Sequence, residues 1–113
     1  MPVRIQRKRE KGWRLPENTV CVTRGTHYGN PFKIGTLQPH PLEYLGMVYV
    51  ESNQHATVLF DNWLDCAPVG KELLKRIKRE LPGKNVACFC HPEDYCHGDI
   101  ILRRANRTYY GRG

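Results

Sequence analysis

The stretch Asn-Val-Ala-Cys-Phe-Cys at residues 85–90 decides the fold, because it is a mostly apolar run of the kind expected for a buried central strand. A loop follows it, and then a helix is predicted over about residues 96–106. Upstream, residues 3–6 and the β-branched residues 19–24 are further strand candidates. The pattern therefore predicts strands at both ends of the chain.

The middle of the chain is predicted to be helical. Ser52 is a plausible N-cap, and the apolar residues after it recur with helical spacing up to Ala67. We expect Pro68 and Gly70 to end this helix and a second helix to cover residues 71–81. Two stretches before it are less regular: residues 36–46 contain prolines and are predicted to be loop, whereas residues 47–50 fit a strand or the start of a helix.

Strands interleaved with helices predict the α/β class, here a small single-domain Rossmann-like sheet, parallel or mixed, flanked by helices. We expect residues 1–106 to form this one domain and residues 107–113 to be a flexible basic tail. Ligands of such sheets bind beyond the carboxyl ends of the strands.

Composition limits the classes of protein to which the chain can belong. Of its 113 residues, 40% are hydrophobic and 26% charged, which is typical of a globular protein. No apolar run is long enough for a transmembrane helix or follows the basic N-terminus as in a secretory signal. Five cysteines are an odd number, so reduced thiols and a cytoplasmic location are expected.

The chain is basic, with a formal net charge of +7. Positive fields attract anions such as phosphorylated small molecules or nucleic acid. Residues 4–14 carry six basic residues and Trp13. We favour a solvated edge strand and loop for this segment, and the alternative is a contact with a polyanion in which Trp13 stacks on a base.

The densest cluster of reactive side chains contains Cys88, Cys90, Cys96 and His97. The first two are separated by one residue on the predicted strand, so they should share a face. The other two lie where a helix begins, and the positive end of a helix stabilises a thiolate and binds anions. The cluster is therefore the predicted functional site.

Three uses of this cluster are open. Zinc is an alternative because Cys88, Cys90, Cys96 and His97 supply suitable ligand atoms, but the spacing is unlike paired zinc knuckles and adjacent ligands are awkward on one ion, so no metal is favoured. A catalytic role is the second use, and it would need a thiolate nucleophile and a base. The candidates are Cys90, Cys96, His97 and Asp99. Cys90 and Cys96 have the spacing of the anion loop of cysteine phosphatases, but the arginine that such a loop needs is absent. The third use is binding alone, in which the loop and the helix N-terminus would hold an anion.

Together the motifs resemble the small phage and bacterial proteins grouped as domain of unknown function 4326. The resemblance covers nearly the whole chain and rests on residues 11–16, Val22-Thr23-Arg24 leading to Gly29-Asn30-Pro31-Phe32, Phe60-x-x-Trp63-Leu64, and Cys88-Phe89-Cys90 with Cys96-His97-Gly98-Asp99. It implies a compact Rossmann-like domain that phages often carry, and it implies no established reaction. Tyr28 stands where family members often have tryptophan, so an aromatic surface is kept.

The residues shared with that family, together with Tyr28, make up the predicted ligand site: Trp13, Arg14, Arg24, Tyr28, Gly29, Asn30, Phe32, Cys90, Cys96, His97 and Asp99. We expect the arginines to grip phosphates, Asn30 to bind a base or ribose, and an aromatic ring to stack on a base.

The leading expectation is a pocket for a phosphorylated nucleotide or nucleoside derivative, which the protein holds or turns over. A phage protein of this kind could sequester a host signalling nucleotide in the host cytoplasm, an anti-defence role. The alternatives are a basic nucleic-acid-binding module and a zinc-stabilised interaction protein. No membrane partner is expected, and the sequence leaves the oligomeric state open.

Overall fold

The described residues form short strands and three α-helices. The computed structural model describes residues 2–91 and 93–106. In chain order the elements are β1 (Arg4–Gln6), β2 (Thr19–Cys21), β3 (Leu37–Pro39), a 3₁₀ turn at Glu43–Leu45, β4 (Met47–Tyr49), α1 (Asn53–Cys66), α2 (Pro68–Glu80), β5 (Asn85–Cys88) and α3 (His97–Ala105). The predicted tail at residues 107–113 lies outside the described residues.

The main sheet is parallel and has β5 at its centre. Its order is β1-β5-β2, with Val86 opposite both Arg4 and Val20. Three of the four residues of the central strand, Val86, Ala87 and Cys88, are buried, which explains the apolar run that the sequence shows there. These features confirm a small α/β protein with a parallel sheet, whereas the finer Rossmann-like description stays a prediction.

Both strands that carry the site are shorter than the sequence predicts. The ladder of β2 ends at Cys21, although the amide of Val22 still donates to the carbonyl of Ala87 at 2.9 Å. β5 ends at Cys88 and not at residue 90. The chain turns there into the cysteine-rich loop, so Cys90 lies beyond the strand.

A second, two-stranded sheet lies between β2 and α1 in the sequence. β3 and β4 pair antiparallel, with Leu37 opposite Tyr49. The prediction of loop for residues 36–46 was therefore wrong in part, and residues 47–50 form a strand over Met47–Tyr49. Sequence periodicity missed β3 because it has only three residues, ends in proline and buries none of its side chains.

The capping residue Ser52 and the helix-breaking Pro68 predicted the boundaries of the first two helices, and the structure corrects the role of Pro68. The hydroxyl of Ser52 accepts a hydrogen bond from the amide of His55 at 3.1 Å, which confirms the predicted N-cap of α1. Pro68 does not only end α1, since it also starts α2, where a missing amide hydrogen costs nothing. Gly70 does not end α1 but lies inside the first turn of α2. The position requires glycine, because a Cβ there would overlap the carbonyl oxygen of Trp63.

Helix α3 packs between the sheet and the other two helices. Six successive residues, 97–102, are buried, because α3 contacts β1 and β5 on one side and α1 and α2 on the other. Gly98 permits the close approach: a Cβ there would lie 3.2 Å from Arg4 Cδ and 3.4 Å from Val86 Cγ2. The predicted helix over residues 96–106 is confirmed, with Cys96 and Asn106 as its caps.

The far end of α3 is tied to α1 by charge pairs. The guanidinium of Arg104 bonds both Asp61 and Asp65 at 2.7 Å, and Arg103 bonds Asp61 at 2.8 Å. Basic side chains at a helix C-terminus also complement the helix dipole. These bonds fix the orientation of α3, whose other end carries the site. Among the described residues, no helix has the length and apolar character that crossing a bilayer requires.

Candidate functional site

Three cysteines meet where β5 ends and α3 begins. Their sulfur atoms, on Cys88, Cys90 and Cys96, all lie within 4.8 Å of one another. The Sγ atoms of Cys88 and Cys96 are 3.3 Å apart. Cys96 is the N-cap of α3, and its sulfur accepts the amide hydrogen of Gly98 at 3.4 Å. Because thiolates are the ligands of soft metal ions, this group of described residues could hold a metal.

Arg4 holds the cluster together. Its side chain is only 7% exposed and pairs with Asp99, at 3.3 Å between Nε and Oδ1. Its Nη2 donates to the carbonyl oxygens of Asp94, at 2.9 Å, and His91, at 3.4 Å, while Nη1 lies 3.9 Å from the sulfur of Cys88. One buried cation therefore bridges β1, the loop, α3 and the thiols. Arg4 is therefore an exception within residues 4–14, the segment interpreted as a solvated edge strand and loop.

The close approach of the three sulfurs shifts the pKa values of their thiols in different directions. Hydrogen bonds donated by the thiols of Cys90 and Cys96, together with Arg4, lower the pKa of Cys88 despite its burial. The pKa values of Cys96 and Cys90 are raised, in both cases mainly because their thiols donate to Cys88. The expectation of a thiolate at the helix N-terminus stays a prediction. The structure adds that Nη1 of Arg4 lies 3.9 Å from the sulfur of Cys88.

His97 is buried next to the cysteines. Its Nε2 lies 2.5 Å from the carbonyl oxygen of Val22, and its Nδ1 lies 3.8 Å from the sulfur of Cys96. Phe60 packs edge-on against the ring, with 5.4 Å between centroids. Burial lowers the pKa of His97. The ring is therefore a neutral imidazole held between β2 and the thiols.

A pocket of about 290 Å³ opens beside the cluster, at the carboxyl ends of β2 and β5. This is the edge at which parallel sheets bind ligands. Its lining combines two arginines, a hydroxyl, an aromatic ring, two thiols and an imidazole, from Arg9, Thr23, Arg24, Phe89, Cys88, Cys90 and His97.

The cations of this pocket are held in place by the protein. Nη1 of Arg24 donates to the carbonyl of Asn30 at 2.5 Å. Since a guanidinium has five N–H donors, others stay available to a ligand. The guanidinium carbons of Arg7 and Arg9 lie 4.7 and 4.4 Å from the centre of the Phe89 ring. Such a cation–π contact holds Arg9 in the pocket lining, whereas Arg7 does not line the pocket.

The glycine-rich turn predicted to hold the ligand is engaged inside the protein. The side chain of Asn30 donates to the carbonyl of Ala56 at 3.1 Å and accepts from the amide of Phe32 at 2.8 Å. The rings of Tyr28 and Phe32 are 8% and 3% exposed, so both are core residues. A Cβ at Gly29 would lie 2.5 Å from the carbonyl oxygen of Arg24, so this glycine permits a tight turn. The backbone of this turn accepts a hydrogen bond from Arg24, and its residues Tyr28, Gly29, Asn30 and Phe32 do not line the pocket.

Three other predicted residues lie outside the pocket lining. Trp13 and Arg14 belong to the segment between β1 and β2, where Trp13 is half-buried and Arg14 exposed. Asp99 is buried at the start of α3 in its ion pair with Arg4. Of the predicted ligand residues, the structure therefore brings Arg24, Cys90 and His97 together in the lining, and Cys96 lies behind them in the thiol cluster.

Sequence reasoning missed four residues of the site: Arg4, Arg9, Thr23 and Phe89. Thr23 and Phe89 lie near the carboxyl ends of the predicted strands, one position before the last residue of each, which is a signal that could have identified them. The two arginines stand in a run of basic residues in which nothing distinguishes them. Only the parallel pairing of β1 with β5 places Arg4 beside Cys88.

The comparisons with known proteins give a family and nothing more specific. No curated protein and no solved structure matches this chain. A family model described as Domain of unknown function (DUF4326) matches residues 5–107. The match includes every element of the fold except the first residue of β1. The chain therefore belongs to the family described as Domain of unknown function (DUF4326).

Proposed function

We propose that the protein binds a phosphorylated nucleotide or nucleoside derivative in the pocket beside the thiol cluster. The observation that carries this proposal is the convergence of Arg9, Arg24 and Thr23 on one concave site at the carboxyl ends of parallel strands. Guanidinium groups bind phosphates bidentately, and a hydroxyl adds a further hydrogen bond. The volume of about 290 Å³ is at the low end of ligand pockets, which favours a ligand of mononucleotide size.

Holding the ligand is the activity that we propose. In a phage-encoded protein working in the host cytoplasm, such a pocket would sequester a host signalling nucleotide and so oppose host defence. A cytoplasmic site also suits five free cysteines, because thiols stay reduced there.

A thermal-shift screen followed by calorimetry tests the proposal. The probes are nucleoside monophosphates, cyclic nucleotides, ADP-ribose derivatives and inorganic phosphate. At least one should stabilise the protein, and Arg24→Ala should weaken its binding about 10- to 100-fold, because each charged hydrogen bond contributes about 1.5–3 kcal/mol.

Two further variants keep this test specific. Arg9→Ala removes the second cation without touching the Arg24–Asn30 contact, and it should also weaken binding. Arg79→Ala removes an exposed arginine of α2 that does not line this pocket, so it should leave affinity unchanged. If no probe stabilises the protein, or all three variants behave alike, the proposal is wrong. Affinity for DNA or RNA that falls steeply with salt would instead identify a nucleic-acid-binding module.

A zinc-stabilised protein is the second candidate, and the mutual approach of the Cys88, Cys90 and Cys96 sulfurs within 4.8 Å favours it. Zinc is the metal we propose, because it is redox-inert and binds thiolates. Elemental analysis of protein purified without chelator should find one zinc per chain, and Cys96→Ser should lose it. Metal-free wild-type protein would end this candidacy.

A further inference from the structure

We propose that His97 completes a zinc site with Cys88, Cys90 and Cys96, and that the ion forms one wall of the anion pocket. The part about the pocket wall rests on the proposed function, whereas the ligand set does not. From the sequence, this ligand set was disfavoured because the adjacent residues Cys96 and His97 are awkward ligands for one ion. In the folded protein their ligand atoms nevertheless lie close together.

The backbone at the start of α3 lets adjacent side chains converge. Cys96 is extended, with φ −147° and ψ 142°, whereas His97 is the first helical residue. The two side chains therefore leave the backbone in directions that bring Sγ and Nδ1 to 3.8 Å. With Zn–S near 2.3 Å and Zn–N near 2.0 Å, a tetrahedral site needs about 3.5 Å between sulfur and nitrogen.

The sulfur triangle has the size that one tetrahedral ion requires. Sulfur ligands of such an ion lie about 3.8 Å apart. Cys88 and Cys96 are at 3.3 Å, and all three sulfurs lie within 4.8 Å of one another. His97 does not belong to that 4.8 Å group. Metal binding would therefore rotate its ring, with the hydrogen bond from Nε2 to Val22 as the pivot, so that Nδ1 moves closer to the sulfurs of Cys88 and Cys90.

The tautomer of His97 is the one that a metal needs. The carbonyl oxygen of Val22 can only accept a hydrogen bond, so Nε2 must carry the hydrogen at 2.5 Å. Nδ1 then carries the lone pair on the side of the cysteines. Metal-binding histidines usually donate their other ring hydrogen in this way, which fixes the ring and its basicity.

Charge also favours a neutral fourth ligand. Three thiolates and one Zn²⁺ carry a net charge of −1, which repels a phosphate from the fourth position. Arg4, with Nη1 3.9 Å from Cys88, and the amide of Gly98, 3.4 Å from Cys96, offset that charge from outside the ligand set. A phosphate in the pocket would therefore bind Arg9 and Arg24, and the metal would position the wall made by Cys88, Cys90 and His97.

X-ray absorption at the zinc edge of the full chain, purified without chelator, tests the ligand set directly. We expect three sulfurs at about 2.3 Å and one nitrogen at about 2.0 Å, with the multiple-scattering pattern of imidazole. A zinc shell with an oxygen in place of the imidazole, four sulfurs, or protein free of metal would each overturn the inference. This measurement needs no variant, so a folding defect cannot obscure it.

Variants and chelation test the rest of the proposal. Cys90→Ser should lower zinc content at least tenfold, whereas Cys66→Ser, which removes a thiol outside the cluster, should keep one zinc per chain. Removing zinc with a chelator should weaken binding of the nucleotide probe tenfold or more, and adding zinc back should restore it. Equal affinity with and without zinc would overturn the role as a pocket wall. A zinc-loaded protein that binds no probe would refute the proposed function and leave the metal site standing.

Discussion

Replacing Arg4 by methionine removes a buried cation that links β1 to the cysteine loop and α3. Methionine keeps much of the apolar stem but loses the pair with Asp99, at 3.3 Å, and the bonds to the carbonyls of Asp94 and His91. Both charged side chains are at least nine-tenths buried, so Asp99 would lose its ion pair with Arg4 at a position shielded from water. Breaking one side of a buried pair costs about 3–5 kcal/mol. A protein of this size has about 5–15 kcal/mol in total, so the loss should be a third or more.

Urea unfolding followed by circular dichroism measures this loss. The variants are Arg4→Met, Asp99→Asn and the double variant, all compared at equal metal content because bound metal adds its own stability. Since Asp99→Asn removes the carboxylate charge that has lost Arg4, the double variant should be more stable than the sum of the single losses predicts, by at least about 1 kcal/mol. Arg14→Met removes an exposed arginine of the same segment and should change stability little.

Two results would refute this reasoning. A loss below about 1 kcal/mol in Arg4→Met would mean that the pair contributes no more than a surface salt bridge. Strict additivity in the double variant would mean that the loss comes from packing and not from the charge of Asp99.

Three other predictions concern the turn, the α1–α3 charge network and a thiol outside the cluster. Gly29→Ala should destabilise the protein by about 1–3 kcal/mol in urea unfolding, because its Cβ would lie 2.5 Å from a carbonyl oxygen; Gly25→Ala, with nothing within 4 Å, should cost clearly less. Hydrogen bonds from an α3 arginine lower the pKa of Asp65, so its contribution is present above the unfolded-state pKa near 4 and is lost as pH falls through the lower folded value. Thermal unfolding from pH 6 to pH 3 should therefore decline less in Asp65→Asn, and parallel curves would contradict this. Burial raises the pKa of Cys21, but hydrogen bonds from a neighbouring threonine and arginine outweigh it and lower the net value. Iodoacetamide at pH 7 should consequently label Cys21 faster than Cys66 in peptide mapping; equal rates would count against it.

Local patterns were sufficient for most of the helices and for the central strand. The helical repeat after Ser52 predicted α1, and the apolar run at residues 85–90 predicted β5, because each element buries a face that its own sequence displays. The pattern failed for β3, which buries no side chain, and misjudged Pro68, which both ends one helix and starts the next. At both places the local structure depends on an adjacent element, β4 for β3 and α2 for Pro68.

The candidate site divides in the same way. The sequence identified the cysteines and His97, because reactive side chains concentrated at a strand-to-helix junction are visible without a structure. It also selected Tyr28, Asn30 and Phe32, whose chemistry suits a ligand but whose side chains are engaged or buried inside the protein. Sequence cannot distinguish a polar group that serves the fold from one that faces a pocket.

By itself, the sequence determined that the chain forms a small, basic α/β protein whose chemistry concentrates around Cys88, Cys90, Cys96 and His97. Only the tertiary structure decided which side chains surround that cluster. The parallel pairing of β1 with β5 brings Arg4 to the thiol of Cys88, 84 positions away in the sequence, and Gly98 lets α3 approach Arg4 and Val86 closely. The extended backbone of Cys96 turns two adjacent residues toward one another. Contacts of this kind depend on strand order and helix placement, which no local pattern encodes, and so the partners of each group emerge only when the whole chain is folded.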